Sequence, residues 1–283
     1  MRTLLLTFAA TLLCAGAYAA DPELYCADLT YDGFTTRSYT FATRGDRTLV
    51  LEIDLPEQGD AGGPRPFVVY VPGGSWRTCG IGAFRRQSAY LASQGIAGVR
   101  IVYSLVGDGA DFSAGLEELQ AARDLVAARA GELGLDTLRF GYVAASAGTP
   151  LAADEALSQA GCRFFVGYNG IYDLTRRIDD SRFPEEGTPY LAPFSDGELR
   201  DFSPVNRIGA DPPTVALFHG RADRTISWKQ SQLFCDAVRA ADGRAEIVLY
   251  DDARHGFFNY GKSDYHEEVT RKTAAFIFSV LGE

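Results

Sequence analysis

The feature that most constrains this chain is a change of hydrophobic period that recurs from about residue 48 to the end. Short runs rich in β-branched and aromatic residues alternate with longer runs whose apolar residues fall three and four apart. The short runs are "TLVLEIDLP" (48–56), "PFVVYVP" (66–72), "IAGVRIVYS" (96–104), "LRFGYVAA" (138–145), "CRFFVGYNG" (162–170), "PTVALFHG" (213–220) and "AEIVLYDD" (245–252). The longer runs predict helices around 83–94, over "AGLEELQAARDLVAARAGEL" (114–133), directly after Ser146, over "SWKQSQLFCDAVRAA" (227–241) and from about 264 to 281. Strands joined through helices pair in parallel, and such a sheet must be covered on both faces. The expected fold class is therefore α/β, a mostly parallel central sheet with helices on both faces. One domain over 20–283 accommodates every element, and an irregular stretch at about 171–211 interrupts the rhythm. No internal repeat is present.

A length of 283 residues with 46% hydrophobic residues suffices to bury a full core. The formal net charge of −10 argues against nucleic acid and anionic membrane surfaces as partners, since both select clustered Lys and Arg. Neutral and cationic small substrates stay open on that ground. Oligomeric state is not legible.

The first residues read as an address. "MRTLLLTFAATLLCAGAYAAD" has a basic residue at Arg2, an apolar run from Leu4 to about Leu13, and small residues at Ala17 and Ala19. The apolar run is too short for a span of about 20 residues. Residues 1–19 are thus expected to be a signal peptide, cut after Ala19 or alternatively after Ala20, giving a secreted or periplasmic protein with no membrane span. Cys14 follows Leu13, where a lipoprotein signal would need a small residue. Removal of Cys14 leaves Cys26, Cys79, Cys162 and Cys235, an even number in an oxidising compartment, and at least one disulfide is expected. Four cysteines allow three connectivities, and four buried thiols are the alternative.

Ligands of a parallel sheet bind beyond the carboxyl ends of its strands. Four of those ends carry unusual residues: "PGGSW" (72–76), "ASAG" (145–148), "HGRAD" (219–223) and "DDARHGF" (251–257). Ser146 falls where a strand turns directly into a helix, a turn that strains the central residue and demands small neighbours; Ala144, Ala147 and Gly148 are small. The helix N-terminus there favours developing negative charge. A plain serine N-cap has the same local sequence.

A serine nucleophile needs a base, and there are three histidines. His219 ends a strand, where a side chain more often packs or satisfies a backbone group. His266 sits in the polar start of a helix, "DYHEEVTRKT", and reads as solvated. His255, in the loop after the last strand, faces the expected crevice and is the candidate base. The imidazole needs a carboxylate to orient it. Asp223, in the neighbouring loop, is the candidate, with Asp251, Asp252 and Asp173 as rivals.

The chain order Ser146, Asp223, His255 resembles that of the α/β-hydrolases. Over nearly the whole mature chain the sequence is similar to their secreted esterase and lipase group, and within it to acetyl-esterase and feruloyl-esterase-like proteins. The group's H-G-G-G-W, G-x-S-A-G, H-G-x-x-D and H-G-F stand here as "PGGSW", "AASAG", "HGRAD" and "HGF". The resemblance implies an α/β-hydrolase fold with Ser146, Asp223 and His255 as catalytic residues. It also implies an oxyanion hole from Gly73, Gly74, Ser75 and Ala147, with neither metal nor organic cofactor. Pro72 replaces the group's His, so whatever held the loop through that side chain must come from elsewhere; Ser75 replaces a Gly. The 171–211 stretch stands where this fold carries a lid or acyl pocket, and its aromatics are Tyr172, Phe183, Tyr190, Phe194 and Phe202. Trp76 and Tyr172 are the candidates for substrate contact. The stretch is short for a large lid, so small esters are expected, with acetyl groups on plant polysaccharide among the substrates considered. Two alternatives stand: a peptidase-type acyl hydrolase of the same fold, and a non-catalytic binding protein on a degenerate hydrolase scaffold.

Overall fold

The computed structural model describes residues 31–57, 63–175, 178, 181–183 and 188–282. The expected signal peptide, Cys14 and Cys26 lie outside the described residues. Among the described residues, eight strands form one sheet in the order β1-β2-β4-β3-β5-β6-β7-β8. These are β1 (Phe34–Arg44), β2 (Arg47–Pro56), β3 (Arg65–Val71), β4 (Ala97–Ile101), β5 (Leu135–Ala145), β6 (Cys162–Tyr168), β7 (Thr214–Gly220) and β8 (Ala245–Tyr250). β2 pairs antiparallel with both β1 and β4, and every pair from β4 through β8 is parallel.

The continuous apolar character of the central strands has a direct cause. In β3, Phe67, Val69 and Val71 enter one core, whereas Val68 and Tyr70 enter the other. β7 repeats the pattern with Val215 and Leu217 opposite Ala216 and Phe218. Successive side chains point to opposite faces, so a strand buried on both faces must be apolar throughout. Each fully buried Val, Leu or Phe contributes roughly 1.5–3 kcal/mol. The helices follow: α2 (Phe112–Leu133), α3 (Thr149–Ser158) and α5 (Lys229–Ala240) pack one face, and α1 (Arg85–Ser93) and α6 (Tyr265–Leu281) the other.

Two elements depart from the sequence expectation. β1, "FTTRSYTFATR", is a largely exposed edge strand, and its polar composition hid it; it is held by its ladder to β2 across a turn at Gly45, φ 55°. The 171–211 stretch contains a short helix, α4 (Asp196–Phe202), opened by a reciprocal cap between Ser195 and Glu198. The disulfide expectation finds no support among the described residues, where Cys79, Cys162 and Cys235 are free thiols.

Candidate active site

β5 runs straight into a tight turn at Ser146–Gly148 and then into α3. Ser146 takes φ 49°, a left-handed conformation that costs a non-glycine residue of order 1–3 kcal/mol and persists only where the surroundings enforce it. They do so here. The Thr149 hydroxyl donates to the Ser146 carbonyl at 2.6 Å and accepts from the Ile171 N–H at 2.8 Å, tying the elbow to the segment after β6. Gly148 is the residue the turn cannot do without, since a Cβ on it would lie 2.4 Å from the Pro72 carbonyl oxygen.

The loops after β7 and β8 converge on this serine. His255 Nε2 lies 3.0 Å from Ser146 Oγ, and its Nδ1 lies 2.7 Å from Asp223 Oδ2. Asp223 Oδ1 accepts from the N–H groups of Thr225 at 2.8 Å and Ile226 at 3.0 Å. Burial works against ionising Asp223, but the imidazoles of His219 and His255 beside it outweigh burial and hold its carboxyl well below the usual carboxylate range. Asp223 therefore stays ionised and fixes the tautomer of His255. The rivals are elsewhere: Asp251 pairs with Arg221, Asp252 accepts from Tyr265, and Asp173 accepts from Thr175.

His219 is fully buried, and its Nε2 lies 3.1 Å from the Ile226 carbonyl and 3.3 Å from Asp223 Oδ2. Its Nδ1 contacts Ser231 Oγ at 2.7 Å. With a carbonyl facing Nε2, that nitrogen carries the proton and the Ser231 hydroxyl donates to Nδ1. It thus satisfies a backbone group, as read from the sequence, and also braces Asp223. His266 corrects the expectation of a solvated residue: it is buried, contacts the Phe258 carbonyl through Nδ1, and burial lowers its pKa.

The "PGGSW" loop lies against the elbow. A Cβ on Gly73 would meet the Ala145 carbonyl oxygen at 2.8 Å, and one on Gly74, φ 126°, would meet the Thr78 carbonyl oxygen at 1.9 Å. Both positions thus require glycine. Ser75 and Trp76 follow in left-handed conformations at φ 54° and 55°. At Pro72, which has no polar side chain, the buried Tyr103 hydroxyl donates to the backbone carbonyl at 2.8 Å. The far end of the loop is tied by Arg100, which donates to the Ile81 carbonyl at 2.6 Å while Asp54 accepts from it at 2.9 and 3.1 Å.

Two cavities open on Ser146. One, of about 80 Å³, is lined by Trp76, Ile171, Arg182, Phe183 and Ile226 among others. The Trp76 ring is stacked on Tyr190 at 5.3 Å, which sets its orientation. The other is an open cleft of about 870 Å³, bordered by the "PGGSW" loop, the start of α1, and the loop from His255 to Tyr260. Tyr172 lines neither. It is fully buried, stacked on Phe234 at 4.4 Å, and its backbone N–H donates to Gln230. Its placement as a substrate contact is corrected to a core residue. The other aromatics divide: Phe183 walls the small cavity, Tyr190 backs Trp76, and Phe194 and Phe202 pack on each other at 5.1 Å. Phe183 and Arg182 are anchored through their N–H groups to the carbonyls of Thr225 and Arg224, so this segment joins the loop bearing Asp223.

The sequence profile of the prolyl oligopeptidase family matches residues 116–283, which hold the whole Ser146, Asp223 and His255 constellation. The chain belongs to the prolyl oligopeptidase family. A second profile, BD-FAE, matches residues 51–176 of this α/β-hydrolase. Among curated relatives, the isoprenylcysteine alpha-carbonyl methylesterase ICME of Arabidopsis thaliana is 28% identical, over 77% of this chain and 58% of its own length. The esterase LipQ of Mycobacterium tuberculosis is 26% identical over 75% of this chain and 55% of its own. The α/β-hydrolase thus spans little more than half the length of the curated relatives it matches. In solved structures the fold recurs in Thermogutta terrifontis esterase 2 phosphonylated by sarin, at TM-score 0.76 and 23% identity, covering 90% of this chain and 98% of that one. The propionate-bound form of the Thermogutta terrifontis esterase superposes at TM-score 0.73 with 24% identity, covering 87% and 94%.

Proposed function

We propose that this α/β-hydrolase is an exported serine hydrolase that cleaves short-chain carboxylic esters through an acyl-enzyme on Ser146. The observation that carries the reading is the uninterrupted relay from Ser146 Oγ through His255 to an ionised, buried Asp223. His255 Nε2 takes the hydroxyl proton as Ser146 Oγ attacks the ester carbonyl, and the imidazolium is stabilised by Asp223. The Ala147 N–H, at the start of the turn into α3, and N–H groups of the loop at Gly73, Gly74 and Ser75 receive the oxyanion. Collapse of the tetrahedral intermediate expels the alcohol, which takes its proton from His255. Water, activated by the same imidazole, then hydrolyses the acyl-enzyme.

Cavity size supports a division of the substrate between the two spaces. A space of about 80 Å³ between Trp76 and Phe183 takes a short acyl group, and the cleft of about 870 Å³ takes the alcohol. An open alcohol side is compatible with a polysaccharide bearing acetyl groups as well as with a small ester. Three curated relatives carry names of ester hydrolases, the Arabidopsis methylesterase, LipQ and the probable carboxylic ester hydrolase LipM of Mycobacterium tuberculosis, which supports ester over amide. The prolyl oligopeptidase profile favours the second reading, an acyl hydrolase acting on peptide bonds, since a triad alone does not choose between the two.

A fluorophosphonate probe read by intact mass tests the nucleophile, with one adduct on wild type and none on Ser146→Ala. Hydrolysis of 4-nitrophenyl acetate against 4-nitroacetanilide decides between ester and amide. Acetyl to butyryl aryl esters should exceed palmitoyl esters in kcat/KM; preference for palmitoyl would make the protein a lipase. Export is tested by N-terminal sequencing of protein from its native host, which should begin at Ala20 or Asp21; Met1 would exclude it.

A further inference from the structure

The charged side chains lining the large cleft beside the nucleophile are opposite in sign to the net charge of the whole chain. The chain carries 37 acidic against 27 basic residues, yet residues 61–107 contain five arginines and no Asp or Glu. This segment forms one wall of the large cleft through Arg85 and Arg86, at the start of α1. Among the described residues, no Asp or Glu lines the cleft. Neither arginine has an ion-pair partner among them, whereas Arg44, Arg47, Arg100 and Arg123 are all paired. The Arg86 guanidinium is held over the Tyr260 ring at 3.9 Å, an arrangement that fixes its plane and leaves its N–H edge for a ligand. A third donor is present in Asn169, fully buried at the end of β6, which lines the same cleft and whose Nδ2 has no hydrogen-bond partner among the described residues. A cleft lined by one sign of charge concentrates ligands of the other.

We infer that the alcohol part of the ester carries an anionic group, a carboxylate or a phosphate, bound in the large cleft by Arg85 and Arg86. The inference rests on the ester-hydrolase reading and adds the class of alcohol to it. The small cavity also has arginines in its wall, Arg77 and Arg182, but at about 80 Å³ it is the tighter of the two, and the large cleft is the one that adds the stacked Arg86 and the buried Asn169. Guanidinium and anion meet through paired, charge-assisted hydrogen bonds, so the preference should be visible in kcat/KM and should weaken with salt.

The test compares three acetate esters with similar leaving groups: 4-acetoxybenzoate, 4-acetoxyphenyl phosphate and the neutral 4-acetoxybenzamide. In wild type at low salt, kcat/KM for at least one anionic ester should exceed that for the amide by about tenfold or more, the scale of a charge-assisted hydrogen bond. The larger of the two ratios identifies carboxylate or phosphate. In Arg86→Gln and in the double variant Arg85→Gln/Arg86→Gln the ratio should fall towards one, and in wild type it should fall as salt rises to about 0.5 M. Using a ratio cancels any loss of folding or of chemistry common to the three esters. Equal hydrolysis of all three by wild type, or an anionic preference unchanged in the double variant, overturns the inference and leaves the esterase reading standing. Failure to cleave any of them, together with no probe adduct on Ser146, removes the esterase reading and this inference with it.

Discussion

Gly148 and Pro72 interlock. A single methyl group on Gly148 would sit 2.4 Å from the Pro72 carbonyl oxygen and 2.7 Å from that of Val71, so the turn bearing Ser146 and the loop of the proposed oxyanion hole are pressed together by backbone. Carbonyl oxygens at the end of β3 cannot rotate away as a flexible side chain would. Gly148→Ala is expected to destabilise the fold by about 1–3 kcal/mol, the cost of overpacking. It should also lower kcat by separating Ala147 from Gly73. Thermal unfolding and aryl-ester turnover on one preparation check both, and a variant with wild-type melting temperature and turnover would show that the two loops are not coupled.

Ser146→Ala should leave the fold intact, because the hydroxyl makes its contact with His255 rather than with the core. Turnover of a short aryl ester should fall about a million-fold, the scale seen when a triad serine is removed. Asp223→Asn should cost about 10⁴-fold, since the amide cannot hold His255 in the same tautomer. Turnover near wild type in folded Ser146→Ala protein would end the serine-hydrolase proposal.

Ser75 occupies φ 54°, where the group it resembles has glycine. The left-handed conformation costs an L-residue roughly 1–2 kcal/mol, part of which glycine returns as unfolded-state entropy. Ser75→Gly should therefore stabilise the protein by a few tenths to about 1 kcal/mol in denaturant unfolding. A loss of stability would show that the Ser75 hydroxyl makes a compensating interaction.

Glu155 on α3 is fully buried, and burial raises its carboxyl from 4.5 to about 6 despite Arg123 at 3.1 Å. Its Oε1 has no hydrogen-bond partner among the described residues. Below pH 4.5 the folded and unfolded chains both hold this proton. Between pH 4.5 and about 6 the unfolded chain releases it first, so stability falls as pH rises, by about 2 kcal/mol in all, and is flat above. Glu155→Gln should melt higher than wild type at pH 7.5, and the gap should close towards pH 4.5. A gap independent of pH would mean that ionisation of Glu155 is not its cause.

Sequence alone determined the architecture and the strand ends where the candidate catalytic residues gather. Strands buried on both faces cannot hide their composition, and helices between them dictate parallel pairing, so the loops at residues 72–76, 145–148, 219–223 and 251–257 were bound to share one edge of the sheet. With three histidines in the chain, loop position also separated His255 from the other two. Tertiary structure decided what depends on contacts between distant segments. β1 offers the core little beyond Tyr39 and Phe41, and its place is set by the ladder with β2. Tyr172 looked like a pocket residue in an irregular stretch, but Phe234, 62 positions away, stacks on it and draws it into the core. His266, polar in its local sequence, is buried once the Phe258 carbonyl is brought to it. The Pro72 carbonyl is held by the hydroxyl of Tyr103, 31 residues further on. Local sequence sets period, turn chemistry and the positions of strand ends, whereas the partner of a side chain is set by packing across the sheet, which leaves no mark at any fixed spacing.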